Sequence, residues 1–174
     1  ELTTNLKKSI KVTMDDSNNV QLVHSFKNCG DTSTSKISLW TLNVLDKGAV
    51  ATLKLSQQDT GFLPNRNIVF WSYDNIKDSR LECFDDKIVL TWKNIEQAFK
   101  IGSTITQPVE VVTKGLKFSI KSQYDEGGEY PDFCCNTELY TNNLMMEIET
   151  ISSLAEIGAG QSKTHIEEWT LKEV

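Results

Sequence analysis

Histidine is the scarcest chemical group in this 174-residue chain, with only His24 and His165 present. Alongside four irregularly spaced cysteines and no Cys-x-x-Cys pair, that leaves a zinc site almost nothing to be built from. The same cysteines (Cys29, Cys83, Cys134, Cys135) are too few for a disulfide scaffold, and a chain of this length can bury a core without one. Cys134 and Cys135 would point to opposite sides of a strand, which makes them poor partners for each other. All four are read as small buried hydrophobes. Positive charge is also in deficit: the formal net charge of −6 excludes a nucleic-acid backbone as partner. No apolar run approaches the roughly 20 residues of a membrane-spanning helix. Repeats, linkers, low-complexity tracts and a visible signal peptide are lacking too. The chain begins at Glu1 rather than Met, which suggests an upstream segment that was removed. Secreted, periplasmic and cytoplasmic locations all stay open.

What is present is strand after strand. Ser9 to Met14 alternates polar and apolar residues, and the Asp15–Asn19 cluster then turns the chain into Val20 to Lys27, predicting a hairpin. Alternation continues through Lys36 to Leu45, Ala49 to Leu55, Ile68 to Tyr73, Lys87 to Trp92, Val109 to Val112 and Leu116 to Ser122. Only Ile95 to Lys100 has apolar residues at helical spacing, predicting a helical turn. The three prolines (Pro64, Pro108, Pro131) fall in loops or at strand starts, where a missing N–H is tolerated. The pattern predicts one all-β domain over residues 1–174, an antiparallel sandwich.

The C-terminal stretch carries the chemistry. Tyr130 to Thr141, an Asn142-Asn143 turn, Leu144 to Thr150, a Gly158-Ala159-Gly160 turn and Thr164 to Leu171 read as strand, turn, strand, turn, strand. Cys134, Asn136, Glu138 and Tyr140 then share one face. An acid, an amide and a phenol together suit a hydroxyl-rich ligand, and equally an ordinary solvent-facing edge.

This stretch resembles the C-terminus of the galactose-mutarotase-like β-sandwich proteins, specifically an uncharacterised bacterial branch related to aldose epimerases. The resemblance extends through the Asn28 turn, Leu39-Trp40-Thr41, Leu63-Pro64-Asn65-Arg66 with Trp71, Arg80-Leu81 and Phe99-Lys100-Ile101-Gly102. It implies that Glu138 is the base acting on a sugar's anomeric hydroxyl. It also implies that the chain is the C-terminal part of a longer sandwich, or a shortened variant of one. Missing strands would leave an edge or face to be covered by another segment or a homodimer. The family pairs its glutamate with histidines, and the nearest position here reads Leu39-Trp40-Thr41, so the acid histidine is absent.

Glu138 is the candidate base, with a surface carboxylate facing Lys or Arg as the alternative. Arg66, Asn65 and Arg80 are candidate ligand contacts, with loop salt bridges as the alternative; Asn136 and Asp132 join them. The four tryptophans are read as core, Trp71 being the best candidate for stacking on a sugar. His24 is read as a hydrogen-bonded core or edge residue and His165 as exposed beside Glu167. The acidic loop Asp125, Glu126, Glu129 and Asp132 is read as solvated rather than as a calcium site. No metal or cofactor is expected. The function expected is binding of a sugar or other polyhydroxylated molecule, with catalysis open; the alternative is a non-enzymatic interaction domain.

Overall fold

The computed structural model describes residues 4–17 and 19–174, and they form two antiparallel sheets packed face to face. Strands are numbered in chain order. The larger sheet has eight, in the spatial order β1 (Leu6–Met14), β2 (Val20–Asn28), β13 (Ser162–Glu173), β10 (Leu116–Ser122), β9 (Val109–Thr113), β4 (Val50–Lys54), β7 (Lys87–Thr91) and β6 (Leu81–Cys83). The smaller has five, in the order β3 (Trp40–Leu45), β12 (Met146–Ile151), β11 (Thr137–Thr141), β8 (Phe99–Ser103) and β5 (Val69–Phe70). The expected all-β sandwich is the observed architecture.

The core follows from alternation. Ala51 and Leu53 on β4, Ile88 and Leu90 on β7, Val109 and Val111 on β9 and Ile120 on β10 face Phe99, Ile101, Leu139, Met146 and Ile148 of the smaller sheet. Apart from Ala51, each of these side chains stabilises the fold by about 1.5–3 kcal/mol relative to exposure. The predicted first hairpin forms, with Leu6 opposite Asn28 and Met14 opposite Val20. Asp15 closes its turn, its Oδ1 accepting the N–H groups of Ser17 and Asn19.

The helical turn expected over Ile95–Lys100 does not form. Phe99 and Ile101 are both fully buried and alternate into the core, so Phe99 starts β8 instead. The expected run of strand from Tyr130 is also interrupted, since β11 begins only at Thr137. The cysteine reading needs correction as well. Cys29, Cys83 and Cys134 are exposed and Cys135 alone is buried, where burial, reinforced by the Glu138 charge, pushes the thiol up to about 12.

A polar island sits inside the sandwich, near the edge of the smaller sheet. Glu167 of β13 is fully buried, and its Oε1 accepts hydrogen bonds from Thr41 (2.6 Å), Thr150 (2.7 Å) and Asn43 Nδ2 (3.0 Å). Its Oε2 faces His24 Nε2 at 3.4 Å and Trp169 Nε1 at 3.3 Å. Burial alone would raise this carboxyl, but the hydrogen bonds from His24, Thr41, Thr150 and Asn43 outweigh it and hold it down at about 2. His165 was expected at the surface and is instead 1% exposed, its Nε2 meeting Thr150 Oγ1 at 2.7 Å. Because Thr150 donates its single hydrogen to Glu167, His165 is assigned as the donor in that contact. Desolvation depresses the imidazole to about 4, so it is neutral at pH 7. His24, expected to be a hydrogen-bonded core or edge residue, is mostly buried on β2 between β1 and β13 and contacts Glu167.

Contacts from Thr41 and Asn43 to Glu167 put β3 over β13. β1 therefore lies beyond the smaller sheet's edge. Ile10, Val12 and Met14 share the inward face of their partners His24, Leu22 and Val20, yet they are 61, 62 and 68% exposed.

Candidate functional site

The outer face of the smaller sheet carries the other buried acids. Leu139 points into the core, so its neighbours Glu138 and Tyr140 point out. The β11–β12 hairpin is set by Asn142, whose Oδ1 accepts the N–H groups of Leu144 and Met145. That register puts Glu149 directly opposite Glu138 and Glu147 opposite Tyr140. Like charges facing each other across strands are destabilising. Lys100 of β8, opposite Tyr140, resolves the conflict. Its Nζ lies 2.6 Å from Glu138 Oε2 and 2.8 Å from Glu149 Oε2.

Two indoles enclose this ammonium. Its Nζ stands 5.4 Å from the ring centroid of Trp40 and 4.8 Å from that of Trp71. Trp40 also donates its Nε1–H to Glu149 Oε2 at 2.6 Å. Asp74 fastens Trp71 to β8, with Oδ2 accepting the Trp71 N–H (2.5 Å) and Oδ1 that of Lys100 (2.9 Å). Gly102 makes room for the assembly: a Cβ there would come within 2.5 Å of Cys135 Sγ and 3.2 Å of the Trp71 ring.

Around Glu138 is a pocket of about 230 Å³, lined by Ser38, Trp40, Trp71, Lys100, Pro131, Asp132, Glu138 and Ile151. Its rim contains a left-handed turn in which Asp132, Phe133 and Cys134 have φ of 50°, 57° and 70°. The Cys135 N–H closes it on Pro131 O, and Asn67 and Thr104 brace the Phe133 and Cys134 carbonyls. For L-residues this conformation costs roughly 1–2 kcal/mol each. Such strain is concentrated at functional sites.

Glu138 is 2% exposed, and its Oε1 has no hydrogen-bond partner among the described residues. Burial raises its pKa to about 7, reinforced by the charges of Glu149 and Asp132; the hydrogen bond from Lys100 pulls the other way without prevailing. Burial works to lower Lys100, but its two carboxylate partners outweigh this and raise it, so it stays charged. The pocket thus pairs a permanent cation with an acid that exchanges its proton near neutrality.

Of the residues read from the sequence, Glu138, Trp71 and Asp132 converge here. The others do not. Arg80 is fully buried elsewhere, its Nε and Nη2 bonded to the Asp78 carboxylate (2.9 and 2.8 Å) and Nη2 also to Gln97 O (2.9 Å). Its donors hold a loop rather than a ligand. Asn136 is fully buried, exchanging side-chain bonds with both backbone groups of Ile105 at 2.7 Å. Arg66 is exposed and bonds to Asn65 Oδ1 and to the Asp85 carbonyl. Asn65 lines a separate cleft of about 1090 Å³ with residues such as Lys54, Gln57, Gln107 and Glu110.

Lys100, Glu149, Asp74 and the outward placement of Trp40, which is 55% exposed rather than core, were not anticipated. One signal was available. Counting back from the Asn142-Asn143 turn pairs Glu138 with Glu149, and two facing acids call for a cation on the next strand.

Among the described residues no cluster of three or more His, Cys, Asp or Glu could hold a metal ion. Nor is any helix there long and apolar enough to cross a membrane. No protein-family model and no curated protein matches the sequence. Among solved structures, the fold is similar to the Slr1438 protein from Synechocystis sp. PCC 6803, with a TM-score of 0.57 and 10% identity. The match covers 97% of this chain and 55% of that one, so this chain spans about half of its neighbour's length, and the likeness is one of fold.

Proposed function

We propose that this protein is a sugar-binding sandwich related to the aldose epimerases, taking one polyhydroxylated ring in the pocket over Glu138. The observation that carries the reading is the buried Glu138 carboxyl, with one oxygen unpartnered, lining a pocket flanked by two indoles. Indole faces suit the C–H surface of a sugar ring, and the free oxygen offers a hydroxyl its acceptor. A buried carboxyl oxygen left without a partner is unfavourable for the fold, and a ligand that satisfies it recovers that free energy on binding.

Anomer exchange would require more. Glu138 would take the proton from O1, and the electron pair left on O1 would form C1=O1 as the C1–O5 bond breaks with its pair going to O5. A second group would protonate O5; ring closure on the other face reverses these steps. No histidine lines the pocket, and Lys100 is held charged by two carboxylates. Binding with slow or no exchange fits this set better than efficient epimerisation. Tryptophan fluorescence titrated with a panel of aldoses tests binding; silence across the panel rejects it. Exchange spectroscopy by NMR then compares wild type with Glu138→Gln. Slower exchange in the variant assigns catalysis to Glu138, and equal rates assign binding alone.

A second reading, an interaction domain, draws on a separate observation. Ile10, Val12 and Met14 on β1, together with Trp40, Leu42 and Val44 on β3, expose apolar side chains at the outermost strands of the two sheets. A concentration-dependent dimer in sedimentation, with no response to sugars, would favour it.

A further inference from the structure

The charge of the Glu138 pocket bears on which sugars it takes. Its lining holds one cation, Lys100, and two carboxyl groups, Asp132 and Glu138. A third, Glu149, is hydrogen-bonded to both Lys100 and Trp40. Beyond these, Glu147 stands next along β12, opposite Tyr140, and the Cys135 thiol is pushed up to about 12 and stays neutral. The acids outnumber the ammonium even when Glu138 carries a proton. Lys100 is also engaged, holding two carboxylates at 2.6 and 2.8 Å between the indoles. Neither Arg66 nor Arg80 lines the pocket. A phosphate carries about −1.5 to −2 charge at pH 7 and is best met by an arginine fork or by an ammonium able to pair with it. Here it would meet carboxylates, and like-charge juxtaposition is how sites reject wrong ligands.

We propose, resting on the sugar-binding reading, that the pocket selects by charge. It accepts uncharged sugars and sugars bearing an ammonium group, and it excludes those bearing phosphate or carboxylate. Saturation of Lys100 by Glu138 and Glu149 is the determinant. The unpartnered Glu138 oxygen accepts from a hydroxyl or an ammonium alike, whereas an anionic group offers it nothing.

The test titrates tryptophan fluorescence at pH 7.5 with galactose, galactosamine, galactose 6-phosphate and galacturonate, and with the matching gluco series. In the series that binds, the neutral and amino sugars should bind at least tenfold more tightly than the two anions. Glu149→Gln, which releases one partner of Lys100, should narrow that gap. Anions that bind as tightly as the neutral sugar overturn the charge selection and leave the sugar reading standing. If no sugar produces a response, the sugar reading falls, and the field is judged on its own by ionic quenching. Caesium should then quench the Trp40 and Trp71 emission more efficiently than iodide, relative to a free tryptophan amide. The double variant Trp40→Phe/Trp71→Phe identifies that component. Iodide quenching equal to or above that of caesium overturns the inference.

Discussion

Two glutamates are withdrawn from solvent almost equally, Glu138 at 2% exposure and Glu167 at 0%, and their environments drive them in opposite directions. Glu167 sits between the sheets with hydrogen-bonding partners on both oxygens, and its carboxyl is held down at about 2. Glu138 lies on the outer face of the smaller sheet with one oxygen on Lys100 and the other unpartnered, and it rises to about 7. Burial raises both; the number of donors decides the outcome. A fully satisfied buried acid is part of the architecture. One left short of donors is a cost to the fold that a bound donor would offset.

The largest effect should come from breaking the satisfied side. Glu167→Ala leaves Thr41, Asn43, Thr150 and His24 facing a void, and removing one member of a buried charged network destabilises by about 3–5 kcal/mol. Urea denaturation measures it. A loss below about 1 kcal/mol would mean the island contributes little and that the contrast with Glu138 is empty.

Next in size is an opposition in pH. His165 falls from 6.5 to about 4, so its contribution to stability is complete above pH 6.5 and is lost as pH falls toward 4. Glu138 rises from 4.5 to about 7, so its contribution is complete below pH 4.5 and is lost as pH rises toward 7. Each shift corresponds to something on the order of 3 kcal/mol. Between pH 4.5 and 6.5 the two slopes oppose each other, so wild-type stability should vary less with pH than either group alone would make it. Below pH 4.5 Glu167 adds its own loss, which is complete only near pH 2. Glu138→Gln removes one arm: its stability should decline as pH drops from 6.5 to 4. A variant profile as flat as the wild type's would contradict the buried, neutral state of His165.

At pH 7.5 the same Glu138→Gln variant should be more stable than wild type by about 1–2 kcal/mol, because an amide has no charge to desolvate. The gain falls short of the full shift because Lys100 loses one carboxylate. Sugar-induced fluorescence change or anomer exchange should weaken in that variant. Higher stability with weaker function is the signature of a working acid; lower stability would return Glu138 to the structural class.

Much of the architecture was legible in the sequence because it is local. Alternation, Asn and Asp turns and a hairpin such as Leu6–Asn28 depend on neighbours along the chain. Glu138 is a candidate from a late strand, Trp71 from a strand pattern close to the Arg66 loop, and Asp132 from an acidic loop. What failed was burial of polar groups. His165 and Arg80 look like surface residues in sequence; His165 is buried against Thr150, and Arg80 against Asp78, two residues away, together with the Gln97 carbonyl brought in by the fold. Trp40 failed in the opposite sense. It lies on a strand whose alternate residues Thr41 and Asn43 are drawn inward by Glu167, so the polar side of β3 faces in and the apolar side faces out. A buried carboxylate thus inverts the alternation rule on the strand that covers it.

The smallest effect concerns strain beside Glu138. Phe133 has φ 57° and the residue is 85% exposed, so it gives up backbone freedom with little packing in return. Phe133→Gly removes the Cβ clash of the left-handed turn, worth roughly 1–2 kcal/mol, while glycine's greater freedom in the unfolded chain offsets roughly half of it. A net gain of about 0.5–1 kcal/mol is expected at every pH, since no titrating group is touched. The Asn67 and Thr104 contacts to the turn are to carbonyls and survive the change. If strain on this rim serves only to hold Asp132 at the pocket, sugar response should be unaltered by a residue that adopts the same φ freely. If stability falls instead, the turn is favoured by something other than its bracing. The Glu138 side of the molecule would then lose its second mark of a region where fold stability has been given up for function.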